Sequence, residues 1–349
     1  MTNSKEPAIN IAIVGIGRWG IHLVRNFLHH PQAKILALVD RHPELLRAAK
    51  EKFQLKENII LATDWEEIRN LPNLEAVVIA TPASTHYPLI SDALLQGYHV
   101  LAEKPLTLYP EEAQKLCELA DKQNRCLIVD HTYLFHPAVN VGKQIIQNQN
   151  LGQLRYGSAA RTHLGPVRQD VDVLWDLAPH DICIFNHWLG ENPHFVEATG
   201  SLFLKNKTSP KTADLVWAKL IYPSGFIATI HLCWCNPDKQ RRLSIIGSQG
   251  SLIFDEMLTE TPLTLSTTTQ PIDSANLATS GLNIQNIKPE NKEPLAEVCN
   301  HFIDCIQNNN PSQISSGWIG LKIVQILTAL TQSLHQKGKT ICLEPWEKS

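Results

Sequence analysis

Up to about residue 130, short apolar runs alternate with segments whose apolar residues recur every three to four positions, the rhythm of buried strands separated by amphipathic helices. Ile11–Val14 reads as a strand, Ile21–Leu28 as a helix with Ile21, Val24, Phe27 and Leu28 on one face, and Ile35–Val39 as a second strand. The alternation predicts a helix over Pro43–Phe53, a strand near Ile59–Leu61, a helix near Trp65–Arg69 and the apolar strand Ala76–Ala80. It continues with a helix capped by Ser84 and running through Gln96, the strand Tyr98–Ala102, a helix from Pro110 to Lys122 and the strand Cys126–Val129. Strands joined through helices give a doubly wound parallel sheet, so a first α/β domain of Rossmann type over residues 1–130 is expected.

Beyond it, His136-Pro137 opens a linking helix to about Gln149, and from Gln153 the period changes. A strand to about His163 and a helix over Pro179–Leu189 precede long segments of alternating polarity. These are Ala213–Ile221, Phe226–Cys235, Arg242–Ile246 and Ser251–Phe254, with hairpin turns at Tyr222-Pro-Ser-Gly225 and Gly247-Ser-Gln-Gly250. Met257–Lys292 is polar and rich in Thr, Ser and Asn, and reads as a long loop. Helices over Pro294–Gln307 and Ile319–His335 and a short strand near Thr340–Leu343 follow. The expected second domain, 131–349, is therefore α+β with a large, mainly antiparallel open sheet. Its outward face carries Trp217, Trp234 or their neighbours, depending on register, and monomers rarely leave such a patch wet. A homodimer or homotetramer through this sheet is expected.

The junction of the first strand and helix is Gly15-x-Gly17-x-x-Gly20. In a dinucleotide-binding turn the first glycine takes a left-handed backbone, the second admits the pyrophosphate and the third lets helix and strand pack closely. Free N–H groups and the dipole of the helix N-terminus hold the phosphates, so Arg18 and Trp19 lie in the turn without a basic side chain being needed as ligand. Asp40 ends the second strand, twenty residues past Gly20, where a carboxylate accepts both ribose hydroxyls of NAD and repels a 2′-phosphate. NAD is expected over NADP, with the adjacent Arg41 as the group that would accommodate NADP. A glycine turn in an unrelated α/β sheet is the alternative.

Length and composition narrow the class further. At 349 residues the chain exceeds the usual single domain, and a formal net charge of −3 leaves no broad basic field for nucleic acid. MTNSKEPAIN lacks the apolar stretch of a signal peptide and no window approaches the roughly 20 apolar residues that span a bilayer, so a cytoplasmic protein with no membrane partner is expected. Eight cysteines are scattered through strands and helices as buried thiols would be. Cys233-Trp-Cys235 puts two sulfurs on one strand face, yet no second Cys/His pair at zinc spacing accompanies it, and no metal is expected.

Chemistry concentrates in three stretches. Thr81 and Pro82 end a strand at the carboxyl edge of the parallel sheet, and His86 lies in the first turn of the next helix, open between a surface or capping role and cofactor contact. Glu103-Lys104-Pro105 follows the next strand: Pro105 fixes the backbone after Lys104, and the Glu103 carboxylate could orient the ammonium. In Trp175-Asp-Leu-Ala-Pro-His-Asp181, Asp176 is a candidate N-cap, Pro179 then falls in the first turn, and His180 stands one turn above Asp176 on the same face.

Taken with GIGRWG, Val39-Asp40, ATPASTH from Ala80 to His86 and AEKPL from Ala102 to Leu106, the WDLAPHD segment resembles the Gfo/Idh/MocA oxidoreductases, and the resemblance covers nearly the whole chain. It implies that Lys104 and the pair Asp176 and His180 line a substrate site beside the nicotinamide. By chemistry His180 is then the base for the hydroxyl proton, Lys104 the donor to the developing alkoxide and Asp176 the positioning group. The cofactor set is Gly15, Gly17, Arg18, Trp19, Gly20, Asp40, Arg41, Thr81, Pro82, His86, Glu103 and Lys104. The wording, with Gly165-Pro-x-Arg168 and the segment from Cys233, is most similar to the branch of UDP-N-acetylglucosamine 3-dehydrogenase-like enzymes. A sugar nucleotide would bring a diphosphate for Arg161, Arg168, Arg241 or Arg242, and Arg168 is placed in the substrate set. The expected activity is oxidation of a secondary hydroxyl on a sugar, sugar nucleotide or cyclic polyol. The rivals are an inositol or dihydrodiol dehydrogenase and a dinucleotide sensor that has lost turnover.

Overall fold

The computed structural model describes residues 7–168, 170–204, 213–268 and 282–343. Two compact units emerge: residues up to Thr132 with Glu293–Val324, and Tyr133–Lys292 with the residues from Gln325 on. The expected boundary at 130 falls two residues from the first limit, while the single run expected for 131–349 is interrupted, because Glu293–Val324 belongs to the first unit.

The first unit is built on β1 (Ile9–Val14), α1 (Gly20–His29), β2 (Ala33–Val39), α2 (Pro43–Phe53), β3 (Ile60–Ala62), β4 (Ala76–Ile79), α3 (His86–Leu95), β5 (His99–Glu103), α4 (Pro110–Gln123) and β6 (Leu127–Asp130). All its strand pairs are parallel, in the order β3-β2-β1-β4-β5-β6. The order reverses between β1 and β4, and at such a switch point the loops leaving the carboxyl ends diverge and open a crevice. Apart from the half-buried Asn10 near the start of β1, β1 and β4 consist of apolar, buried residues, as a sheet covered on both faces requires. Two local expectations change: residues 65–67 form a single 3₁₀ turn, and Ala83–Thr85 is another, so α3 begins at His86 with no side-chain cap from Ser84.

The second unit adds α5 (Pro137–Gln147), β7 (Leu154–Leu164), α6 (Val173–Leu189), β8 (Phe195–Ser201), β9 (Leu215–Ile221), β10 (Ile227–Cys233), β11 (Cys235–Gly247), β12 (Gly250–Asp255), β13 (Leu263–Thr268) and β14 (Leu282–Ile287). Then come α7 (Pro294–Gln307) in the first unit, α8 (Gly317–His335), which spans the limit at Val324, and β15 (Ile341–Cys342). The sheet order is β14-β13-β12-β11-β7-β10-β9-β8-β15, antiparallel throughout except for the parallel pair β10 and β7. Val216, Ala218 and Leu220 of β9 and Ala228, Ile230 and Leu232 of β10 are buried on the inner face, which α6 covers. The outer face exposes Tyr156, Trp217 and Ile227. Register thus decides between the two tryptophans: Trp217 is 52% exposed and Trp234 is buried.

The polar stretch expected as one long loop contains β13 and β14, which pair antiparallel from Leu263↔Ile287 to Thr268↔Leu282; the part of that loop over 269–281 lies outside the described residues. β14 is exposed along nearly all of its length, and the brief alternation Leu282-Asn-Ile284-Gln is too short to mark it within so polar a stretch. The helix expected from Pro179 starts six residues earlier, at Val173. Among the described residues no helix is long and apolar enough to cross a membrane, and no group of three or more His, Cys, Asp or Glu side chains is arranged to hold a metal ion.

Candidate active site

In the first unit the glycine turn lies at the switch point. Gly15 has φ 87°, and a Cβ there would come within 2.7 Å of the Ala80 backbone, so both conformation and space demand glycine. A Cβ on Gly20 would sit 2.0 Å from the Gly15 carbonyl oxygen, which is the close helix to strand approach expected of the third glycine. Gly17 is different: a Cβ there would meet nothing within 4 Å, leaving room for a group to approach the main chain. No side chain caps α1, and no acidic residue occupies its first turn. Asp40 accepts the N–H of Ile16 and of His42, both at 2.9 Å, one on each carboxylate oxygen, which fixes its carboxylate against the glycine turn. These features fit a dinucleotide: open main chain for the pyrophosphate, an uncapped helix end and an anchored acid for the ribose. Arg18, within the turn, and Arg41, next to Asp40, are both exposed.

Two strand ends further on, His86 is buried, with Nδ1 2.8 Å from the Pro105 carbonyl and Nε2 2.9 Å from that of Thr81. It ties together the loops leaving β4 and β5, so the surface role left open by the sequence does not apply. Thr85 Oγ1 donates within the same loop, to Thr81 Oγ1 and the Pro82 carbonyl, both at 2.7 Å.

Glu103 is the last residue of β5, not the first residue after it, and pairs in register with Asp130 of β6. Burial first, then the charge of Asp130, holds Glu103 well above the ordinary carboxylate range, and burial raises Asp130 as well. Asp130 accepts Thr132 Oγ1 at 2.6 Å and Trp19 Nε1 at 3.2 Å, which joins the glycine turn to this cluster. His131 is buried beside it, and burial and then the Lys104 ammonium push its imidazole down to about 3, so it is neutral. Lys104 stands close to this carboxyl pair and to the neutral imidazole of His131.

In the second unit Asp172, not Asp176, is the N-cap of α6, its Oδ1 accepting the N–H of Trp175 at 3.0 Å. Pro179 consequently lies inside the helix, where it removes the N–H that would bond the Trp175 carbonyl. Asp176 and His180 still share a face, four residues apart. Asp176 is held from two sides: Trp234 Nε1 donates to Oδ2 at 3.1 Å and Arg168 Nη1 to Oδ1 at 3.3 Å. Arg168 is in turn fixed by two bonds to Asp170, at 2.9 and 2.6 Å. The ring of His180 meets that of Tyr133, with centroids 5.0 Å apart.

Of the arginines considered for a diphosphate, Arg161 is buried and bound through two nitrogens to Asp181, and Arg241 pairs with Glu256 at 2.8 Å. Both are committed within the protein. Arg242 aligns with Ala160, on the outer sheet face, away from α6. Arg168 is the one that reaches Asp176. Sequence reasoning missed Asp172, Trp234, Tyr133 and Asp181. The Asp172-Val-Leu-Trp run does carry a cap signal, masked by the stronger pull of Pro179 toward a later start.

The profile of the oxidoreductase family with an NAD-binding Rossmann fold, Gfo/Idh/MocA, matches residues 9–131, and that of the Gfo/Idh/MocA C-terminal domain matches 141–253. UDP-N-acetylglucosamine 3-dehydrogenase of Acidithiobacillus ferrooxidans is 29% identical over 234 residues, which cover 67% of this chain and 69% of the relative. The NAD(+)-dependent scyllo-inositol 2-dehydrogenase of Bacillus subtilis is 24% identical over 313 residues, 87% of each chain. Aldose-aldose oxidoreductase of Caulobacter crescentus superposes with a TM-score of 0.82 at 20% identity, covering 96% of this chain and all of the other, and shares its fold. The chain belongs to the Gfo/Idh/MocA family of NAD-binding oxidoreductases.

Proposed function

We propose that the protein is an NAD-dependent dehydrogenase acting on a secondary hydroxyl of a sugar, a sugar nucleotide or a cyclic polyol. The observation that carries this reading is the α6 face on which Asp176, held by Trp234 and Arg168, stands one turn below His180. Bound NAD supplies the hydride acceptor. His180 takes the hydroxyl proton as the carbinol C–H bond breaks, and Lys104 donates a hydrogen bond to the oxygen as it gains charge. Asp176, already oriented, fixes the substrate hydroxyl or the imidazole with little reorganisation. The product is a ketone.

Three finer choices belong to the same reading. Asp40 favours NAD, since a 2′-phosphate beside its carboxylate meets like charge. The similarity to a sugar-nucleotide dehydrogenase favours a substrate with an anionic group. The outer sheet face, with Tyr156, Trp217 and Ile227 exposed, supports a homodimer or homotetramer.

A panel of UDP-sugars, free sugars and inositols, followed by NADH absorbance, tests the reading. Turnover of one class with NAD is expected. NADH binding without turnover of any of them would replace the dehydrogenase with a dinucleotide sensor.

A further inference from the structure

Behind His180, side chains from separate elements converge on one tyrosine. Arg161 of β7 donates Nε to Asp181 Oδ2 at 3.0 Å and Nη2 to Oδ1 at 2.9 Å. Its Nη1 donates to Tyr133 Oη at 2.8 Å, and its guanidinium lies 4.6 Å from the Tyr133 ring centre. Tyr133 Oη donates to Glu256 Oε2, whose other oxygen accepts Arg241 Nη1 at 2.8 Å. Two guanidinium groups and two carboxylates balance around one neutral phenol. The Tyr133 ring is also flanked by Phe254, at 6.5 Å and 72°, and by His136, at 6.4 Å and 14°.

A ring tied at its hydroxyl and packed by aromatic neighbours holds a single orientation. That ring stands at 60° to the imidazole of His180, 5.0 Å away. Asp181, gripped by Arg161, follows His180 directly on α6, so the same network fixes the backbone that carries the imidazole. We propose that Tyr133 is a positioning residue for His180, setting the plane of its imidazole, with Arg161 and Asp181 fixing the turn of helix beneath it. The proposal rests on the reading of His180 as the base. The network's protons are stable near neutrality. Burial raises the Tyr133 phenol above its ordinary value, with Arg161 opposing and Glu256 adding to it. Burial alone would raise Glu256, but Arg241, Tyr133 and Arg161 together hold it below the usual carboxylate range.

The test compares Tyr133→Leu, which removes ring and hydroxyl, with Tyr133→Phe, which keeps the ring. Each is measured with NAD and whichever substrate the panel identifies, and by the NMR resonance of the His180 Cε1–H, assigned through its loss in His180→Asn. Tyr133→Leu should lower kcat by about 10- to 100-fold, as a misaligned base does, and move the resonance, because the ring current of Tyr133 is gone. KM and NADH affinity should stay within about twofold. Tyr133→Phe keeps the ring between Phe254 and His136 but loses the ties at its hydroxyl, so it should fall between the unmodified protein and Tyr133→Leu, with a smaller shift of the resonance and a smaller loss in kcat than Tyr133→Leu. In that unmodified protein, cross-peaks between the Tyr133 ring and the His180 imidazole are expected, a measurement that needs no variant to fold. Absent cross-peaks, a Tyr133→Leu protein with unchanged kcat and resonance, or a Tyr133→Phe protein as impaired as Tyr133→Leu would each overturn the proposal. Full turnover by His180→Asn, with the resonance still moved by Tyr133→Leu, would leave the positioning contact standing and remove the base.

Discussion

The Asp40 carboxylate that orders the glycine turn through the Ile16 and His42 N–H groups is the one proposed to face the ribose, so one side chain would serve both fold and specificity. Asp40→Ser should shift the NADPH to NADH affinity ratio by about tenfold or more toward NADPH, the scale of one like-charge contact. Tighter NADPH than NADH binding by the unmodified protein, measured by fluorescence titration, would remove the ribose role. Glu103 carries a second prediction. Its folded pKa is raised, so the stability linked to it is fully present below the ordinary carboxylate range and is lost as pH rises through the raised value. Glu103→Gln mimics the protonated acid, and its melting temperature should fall less than that of the parent between about pH 5 and about pH 9 in calorimetry. Parallel curves would show that Glu103 does not hold a proton. Asp40, Lys104, Asp176 and His180 stood out as candidates because each lies inside a short motif. Arg161 was not: its partner Asp181 lies twenty residues away, and only the packing of β7 against α6 decides between that partner and a substrate phosphate.

The helix that carries the proposed base shows what sequence patterns reach at the scale of elements. Pro179 favours a first-turn position, and Asp176 before it imitates a cap, yet Asp172 takes the cap because Val173, Leu174 and Leu177 bury the turn in between. Tertiary burial outweighed local preference. Asp172→Ala should destabilise the protein by about 1 kcal/mol in urea unfolding, while Asp176→Ala should not cost a cap. The reverse order would restore the later start of α6. The parallel strands were readable from apolar runs, whereas β14, exposed on both faces, offers no such run and is defined only by its pairing with β13.

At the scale of the molecule, the alternation of strand and helix followed by long alternating strands was sufficient for both architectures, because each period follows from which faces must be buried. The return of Glu293–Val324 to the first unit was not, since apolar helices do not name their partners; Phe302 of α7 meets Phe27 of α1, and Ser315 donates to the Val129 carbonyl at 2.6 Å. Trp217, stacked on His231 at 4.0 Å on the outer sheet face, should be covered in an assembly. Sedimentation should give a dimer or tetramer that Trp217→Glu weakens, and a monomer at all concentrations would contradict it. Whether His180 takes the proton of the hydroxyl being oxidised is decided by the pH dependence of NADH formation from a verified substrate. Turnover by the unmodified enzyme should rise with pH through one ionisation, and His180→Asn should bind NADH normally, lose about 10²- to 10⁴-fold in rate and lack that ionisation. A variant with near-normal rate and the same profile would contradict the account.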